Sequence, residues 1–352
     1  MNARMNGRTN DWRHLAHLTD GRGLFEHAHG ATPRHDHGYC TDDNGRALVV
    51  VCRAGDDHAL ALAERQLAFC YDAYVGDGRF RLRMSYDGTW RDHAVSDDAM
   101  GRAIWGLGVA ATSAWSQVAT DAARLFDDAC AFRTAWPRAA ACAVLGAAAY
   151  LRRRPDHEGA NALLDAMRSV LEATSWTGPD RPAITEWCWP EPRLQYANAL
   201  LPHAELEIAA RRQDPVLADA ALRRLRWLRD VETHGDHLSF TPTNGWAQGE
   251  PRPGFDQQPI EAWHLAEAAW SALSLTGDPA WAATIERCEA WFHGANDTGA
   301  VMFDPETGGG YDGLRADGVN QNQGAESTLA WLAVSQLAGF ARASADVAPA
   351  GP

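Results

Sequence analysis

The chain of 352 residues lacks an excess of positive charge: 32 arginine plus lysine stand against 46 acids, a formal net charge of −14. That excludes a phosphate backbone or an anionic membrane as the main partner, because both need basic patches. No basic run with interleaved aromatics occurs. No C-x-x-C pair occurs either. The seven Cys, at 40, 52, 70, 130, 142, 188 and 288, are odd in number and scattered. Most fall inside helical patterns, where Cys acts as a small buried apolar residue. This pattern implies a reducing compartment, without disulfides or a structural zinc. Met1 to Asp11 lacks an apolar h-region, so no signal peptide is expected. The apolar runs are too short and too often interrupted to span a membrane. A cytoplasmic location is expected. β-Branched residues are outnumbered by helix formers, which favours an all-α class.

What is present is a set of apolar helices, each preceded by a polar loop. The sharpest example is His37-Gly-Tyr-Cys-Thr-Asp-Asp-Asn-Gly-Arg-Ala-Leu48, a polar run that turns directly into a helix. Taken alone it reads as an N-cap, with Thr41 or Asp42 satisfying the free first-turn N–H groups. The signature returns with one extra residue at Ser96-Asp-Asp-Ala-Met-Gly-Arg-Ala-Ile104. Helices are predicted in pairs: 41–54 and 57–75, 98–113 and 116–133, 137–153 and 157–174, 191–212 and 215–231, 257–275 and 278–293. A last helix covers 324–343 and a short one 11–18. Asp214-Pro215 and Asp278-Pro279 are start signals and Gly277 a stop. Phe80 to Ser85 with the turn Tyr86-Asp87-Gly88 reads as a small β-hairpin inserted near 79–92.

The first helix of each pair is apolar on most faces and rich in Ala and Gly; the second carries charge on one face. A helix apolar all round is buried, and an amphipathic one lies outside. Six such alternations predict an inner ring wrapped by an outer ring, an (α/α)6 toroid of one domain over 11–344, with tails at 1–10 and 345–352. An open α-solenoid and two helical bundles are the alternatives.

In a toroid the loops before the inner helices share one face: 37–46, 90–102, 134–138, 185–198, 254–261 and 318–327. They concentrate carboxylates, amides and Trp, without lysine or a nucleotide-type glycine loop. Carboxylates and amides read ring hydroxyls, and sugar faces stack on Trp. A carbohydrate cleft is therefore expected, although each Trp singly reads as core, and Trp90, Trp136 and Trp246 join Trp187 and Trp189 beside these loops. A glycosidase needs an acid and a carboxylate base or nucleophile. The available acids are Asp42, Asp43, Asp98, Glu186, Glu191, Asp256, Glu261 and Glu326. Asp43, Glu191, Asp256 and Glu326 are the expected catalytic set, each placed at or just before an inner-helix N-terminus. Glu191, beside Trp189 and Pro, best suits the acid. Ligand contacts are expected from His37, Tyr39, Asp42, Asn44, Arg46, Asp98, Trp187, Trp189, Tyr196, Asn198, Gln257, Gln258, Glu261, Asn322 and Gln323. No metal or other cofactor is expected. Asp304 to Gly313 lacks full EF-hand spacing and reads as a glycine-rich turn.

These stretches resemble a group of bacterial proteins labelled glycosyltransferase or glycosyltransferase-associated, within the six-hairpin glycosidase-like superfamily. The resemblance rests on His37–Asn44 with Arg46-Ala-Leu48, Trp187–Glu191 with Tyr196-Ala-Asn198, Phe255–Glu261, and Asn322–Thr328. It spans nearly the whole chain. Where the group often has an aromatic before Glu191, this chain has Pro190. The resemblance implies the toroid and a carbohydrate role but supplies no reaction, and no Rossmann-type nucleotide site accompanies it. Three functions follow: an inverting glycoside hydrolase acting on small oligosaccharides; a sugar epimerase or isomerase using His264 or His203; or a non-catalytic carbohydrate-binding or partner-binding toroid. His203, more than two turns below a helix start at Glu191, would lie deep.

Overall fold

A computed structural model describes residues 10–91, 96–174 and 187–347. Glu186 and most of the two tails lie outside these residues. Twelve α-helices form among the described residues: α1 (Arg13–His17), α2 (Thr41–Ala54), α3 (Leu60–Ala73), α4 (Asp97–Ala110), α5 (Ser116–Ala129), α6 (Pro137–Leu151), α7 (Glu158–Thr174), α8 (Leu200–Arg212), α9 (Pro215–Val231), α10 (Pro259–Thr276), α11 (Pro279–Phe292) and α12 (Ala325–Val347).

The even-numbered helices pack side by side in the order α2, α4, α6, α8, α10, α12 and back to α2. The odd-numbered ones cover them from outside. The ring is therefore closed, and the (α/α)6 toroid expected from the alternation is the observed fold. In α6, every residue from Arg138 to Leu151 is buried. In α5 and α7 only one face is. Burial of apolar surface on this scale dominates the stability of the fold.

Inner helices touch backbone to backbone. A Cβ on Gly108 would stand 2.1 Å from the Gly146 carbonyl oxygen, and one on Gly106 2.3 Å from that of Gly45. Only glycine permits this approach, and it draws α2, α4 and α6 into close contact. Asp214 accepts from Leu217 N and Asp278 from Ala280 N, capping α9 and α11 as expected. Gly277 closes α10 at φ 69°.

Three local expectations change. Helix α8 begins at Leu200, nine residues after the predicted start. Pro190 and Pro192 deny the chain backbone donors. Arg193–Leu194 instead pairs antiparallel with Trp246–Ala247, and Ala197 turns through φ 48°. Helix α2 has no side-chain N-cap: the extended Cys40 precedes it, and Thr41 Oγ1 donates to Arg81 O. Finally, 79–92 is not one hairpin. Tyr74–Gly76 pairs with Arg79–Phe80, and Arg83–Met84 pairs with Tyr39–Cys40. The Tyr86-Asp87-Gly88 turn does form, bridged by Met84 and Trp90.

Candidate active site

The inner helices all start on one face, and their first turns carry most of the buried charge. Because Asp42 and Asp43 are not consumed as caps, both reach arginine. Arg46 Nη1 bonds Asp43 Oδ1 at 2.6 Å and lies 3.5 Å from Asp42 Oδ2, while its Nη2 bonds Glu326 Oε2 at 2.7 Å. Arg102 Nη1 lies 3.3 Å from Asp42 and 3.8 Å from Asp98. Tyr196 Oη donates to Asp98. Arg138 stacks over the Tyr196 ring at 5.1 Å, bonds its carbonyl at 2.6 Å, and holds Glu191 bidentately at 2.8 Å on both oxygens. Glu261 accepts from Ala197 N at 2.5 Å and Asn198 N at 3.1 Å.

The result is a continuous belt, Glu326–Arg46–Asp42–Arg102–Asp98–Tyr196–Arg138–Glu191, with Glu261 beneath its Tyr196 end. All six inner helices, or the segments entering them, contribute. The three arginines are buried, whereas Asp42, Asp98 and Glu326 keep 18, 29 and 35 % of their side-chain surface open. The belt thus presents carboxylates to the face and hides its cations. The chain contains no lysine, so every side-chain cation here is a rigid guanidinium fork.

The electrostatics split adjacent groups. Burial and then the neighbouring Asp42 push Asp43 well above the ordinary carboxylate range, against the pull of Arg46. Asp42 is buried too, but Arg46 and Arg102 flank it and hold it below that range. Glu261 is raised to about 8, by burial first and by Glu232 second, against the two backbone donors and Arg138.

Below the belt lies an aromatic floor. The Trp105 and Trp263 rings stack at 5.8 Å, and His264 lies against both, 6.0 Å and 5.6 Å away. His264 is 1 % exposed, and neither ring nitrogen has a partner among the described residues. Burial, then the positive charges of Arg102 and Arg46, push its pKa well below 6.5. His203, expected to lie deep, sits in the first turn of α8, also beside Trp105. Its Nδ1 has no partner either.

Of the expected residues, Asp42, Asp43, Arg46, Asp98, Glu191, Tyr196, Glu261 and Glu326 come together in or against the belt. Glu191 does so from a loop, not from a helix start. Asn198 lies beside Arg138 and turns the chain into α8 through Gln195 N. Asp256 is exposed. Gln258 is the N-cap residue of α10, without a side-chain cap bond.

Several side chains are spent on the scaffold. Asn44 bonds Leu24 N and Cys40 O. Gln257 bonds Phe240 N, Gly254 O and Asp297. Asn322 accepts from Gly30 N, and Gln323 joins Thr307 and Asp304. Tyr39 donates to Asp20, and His37 lies 3.7 Å from Asp36. Trp187 and Trp189 are buried against Trp227 and hold Glu191 through their ring N–H groups. The sequence reading missed Arg138 and gave Arg102 no role. The available signal was a single Arg in a helix otherwise apolar all round.

No protein-family model matches the chain, and no curated protein matches it in sequence. Solved structures do match in fold, and they place the chain among six-hairpin (α/α)6 toroids. Cellobiose 2-epimerase from Bacillus thermoamylovorans superposes with a TM-score of 0.67 at 11 % identity, covering 94 % of this chain and 95 % of that one. A sugar epimerase from a ruminal bacterium gives 0.64 at 13 %, covering 92 % and 95 %. A C. cellulolyticum cellulase in complex with cellobiose gives 0.57 at 10 %, covering 93 % and 91 %. Among the described residues no helix is long and apolar enough to cross a membrane.

Proposed function

We propose that this protein is a carbohydrate-active enzyme whose cleft lies over the belt, and that it hydrolyses glycosidic bonds with Asp43 and Asp42 as acid and nucleophile. The observation that carries the reading is the pair itself. Two neighbouring carboxyls have environments that drive their proton affinities apart, the arrangement by which acid and nucleophile roles are divided. Asp43, buried and beside a negative neighbour, keeps a proton to give to a leaving oxygen. Asp42, between two guanidinium groups, stays ionised and, sharing Arg46 Nη1 with Asp43, stands close enough to it for a retaining pair. It attacks the sugar carbon as the leaving oxygen takes the Asp43 proton, and water then hydrolyses the glycosyl ester, giving its proton back to Asp43. Asp98 and Glu326, the most open carboxylates of the belt, accept hydrogen bonds from ring hydroxyls. Glu191, bound on both oxygens by Arg138, positions that arginine and Tyr196. Even with Asp43 and Glu261 pushed toward their protonated forms, Asp42, Asp98, Glu191 and Glu326 engage all three arginines and leave none free for a phosphorylated sugar, so the ligand is read as uncharged. Fold neighbours that include cellulases are consistent with a neutral sugar.

The test is release of reducing ends from a panel of di- and trisaccharides, with calorimetry on the same sugars. Asp43→Asn is expected to lower kcat by about 10²–10⁴-fold, the usual worth of a general acid or base, and Asp42→Asn by at least as much, while sugar binding persists. Unchanged turnover in both variants, or no sugar bound by the wild type, overturns the reading.

A second reading has its own observation. His264 is a neutral imidazole with both nitrogens free, beside three arginines able to stabilise a developing oxyanion. It suits proton abstraction next to the carbonyl of an open-chain sugar, as in an epimerase or isomerase. Fold neighbours named cellobiose 2-epimerase and D-mannose isomerase support this class as much as the first. Solvent deuterium entering a free sugar, lost in His264→Asn but kept in Asp43→Asn, would establish it in place of hydrolysis.

A further inference from the structure

A group of side chains that neither reading uses stands on the same face, outside the ring. The hairpin after α9 pairs Thr233–His234 with His237–Leu238, which sets His234 directly opposite His237. The turn after α11 brings up Asp297. Its Oδ1 lies 3.2 Å from His234 Nδ1 and 3.1 Å from His237 Nε2. All three donor atoms lie within 4.8 Å of one another.

We propose that His234, His237 and Asp297 form a binding site for a divalent transition-metal ion of the zinc class. Metal–nitrogen and metal–oxygen bonds of about 2.0–2.2 Å at tetrahedral angles set donors roughly 3.3 Å apart, close to the spacing from Asp297 Oδ1 to each histidine nitrogen. Two imidazoles and one carboxylate are the ligands such ions prefer. The groups behind the donors also have the arrangement of a metal site. His237 presents its other nitrogen, Nδ1, to Asp236 Oδ1 at 3.3 Å, an outer carboxylate of the kind that orients a metal-binding imidazole. Asp297 Oδ2 accepts from Gln257 Nε2 at 2.5 Å, which leaves Oδ1 for the ion. The nearby Arg252 donates to Ser239 O at 2.5 Å. The His234 side chain is 74 % exposed, so an ion enters from solvent and retains water as its fourth ligand.

The site would join two outer-layer loops. Through Gln257 it would also brace the segment that leads into α10 and Glu261. Its role is that of a clamp on one wall of the cleft, separate from the Asp42–Asp43 pair.

The full chain, stripped with a chelator, is titrated with Zn²⁺ by calorimetry and with Co²⁺ by absorption. One equivalent is expected to bind, with the intense visible band of four-coordinate Co²⁺ and a higher Tm in the presence of Zn²⁺. His234→Ala and His237→Ala are each expected to weaken binding at least tenfold. His29→Ala, an exposed histidine elsewhere, should leave it unchanged. His234→Ala is the decisive variant, because its exposed ring can be removed without unfolding the chain, as circular dichroism would verify. Equal uptake by wild type and both histidine variants would reduce the effect to adventitious binding on surface histidines and overturn the site, as would no uptake at all. Neither result bears on sugar turnover.

Discussion

The two ends of the toroid's interior carry different kinds of charge. Toward the C-terminal halves of the inner helices, Arg53 pairs with Glu267 at 2.6 Å and Arg152 with Glu207 at 2.7 Å. Each acid there has one further donor, Trp263 Nε1 or Ser271 Oγ. Cations and anions balance there, one arginine to one acid. At the N-terminal face, Asp42, Asp43, Asp98, Glu191, Glu261 and Glu326 outnumber Arg46, Arg102 and Arg138, and three of those carboxylates are open to solvent. Balanced pairs hold a structure shut. An acid surplus, most of it on first turns and with Asp43 and Glu261 pushed toward their protonated forms, makes chemical sense as a place where hydroxyls or protons are handled.

The largest expected difference comes from removing one paired arginine at each end. Arg46→Met takes a partner from three carboxyls, two on α2 and one on α12, of which only Asp42 keeps another arginine, Arg102, and should cost about 3–5 kcal/mol in urea unfolding, together with all turnover. Arg53→Met should cost less, about 1–3 kcal/mol, because one acid loses one partner and keeps the Trp263 donor. Its turnover should be unchanged. If both variants lose activity alike, the distinction between the two ends fails.

A smaller effect is the pH dependence of stability. Glu261 is raised to about 8 and Glu232 to about 7. The folded chain therefore binds more protons than the unfolded one above the ordinary glutamate pKa of about 4.3. The stabilising contribution is fully present below that value and is lost as pH rises through 7 and 8. The slope reaches about 1.4 kcal/mol per pH unit for each such proton. Urea midpoints measured from pH 5 to 8.5 should fall with rising pH, and Glu261→Gln should flatten the curve. The smallest expected effect is in the outer layer: Asp278→Ala should cost about 1 kcal/mol through the lost cap and leave turnover intact.

The ring of helices was legible because burial leaves a plain signature: Ala139 to Tyr150 has no polar face at all. The acids of the belt were legible because each interrupts an apolar run at its start. What remained hidden depends on where hydrogen bonds end. Gln257 and Asn322 look like ligand-reading amides, yet their partners are backbone and side-chain groups of distant loops. Arg138 looks like an ordinary helix-start arginine until Glu191, 53 residues away, meets it. The start of α8 was misplaced because Gln195 to Leu201 continues an apolar pattern while Pro192 and the turn at Ala197 break the helix. His237 and Asp297, 60 residues apart, share no local signature.

The contact between Arg46 and Glu326 has a consequence for how the chain acquires its shape during synthesis. It joins the first inner helix to the last across 280 residues, a closure costing roughly 5 kcal/mol in chain entropy. Helical hairpins made early can pair with their neighbours as they emerge, but Arg46 then lies buried with one of its three counter-charges still unsynthesised. Only when α12 leaves the ribosome does the circle lock. A nascent chain halted before that point would be an open, charge-strained horseshoe, and therefore a ready target for chaperones and proteases.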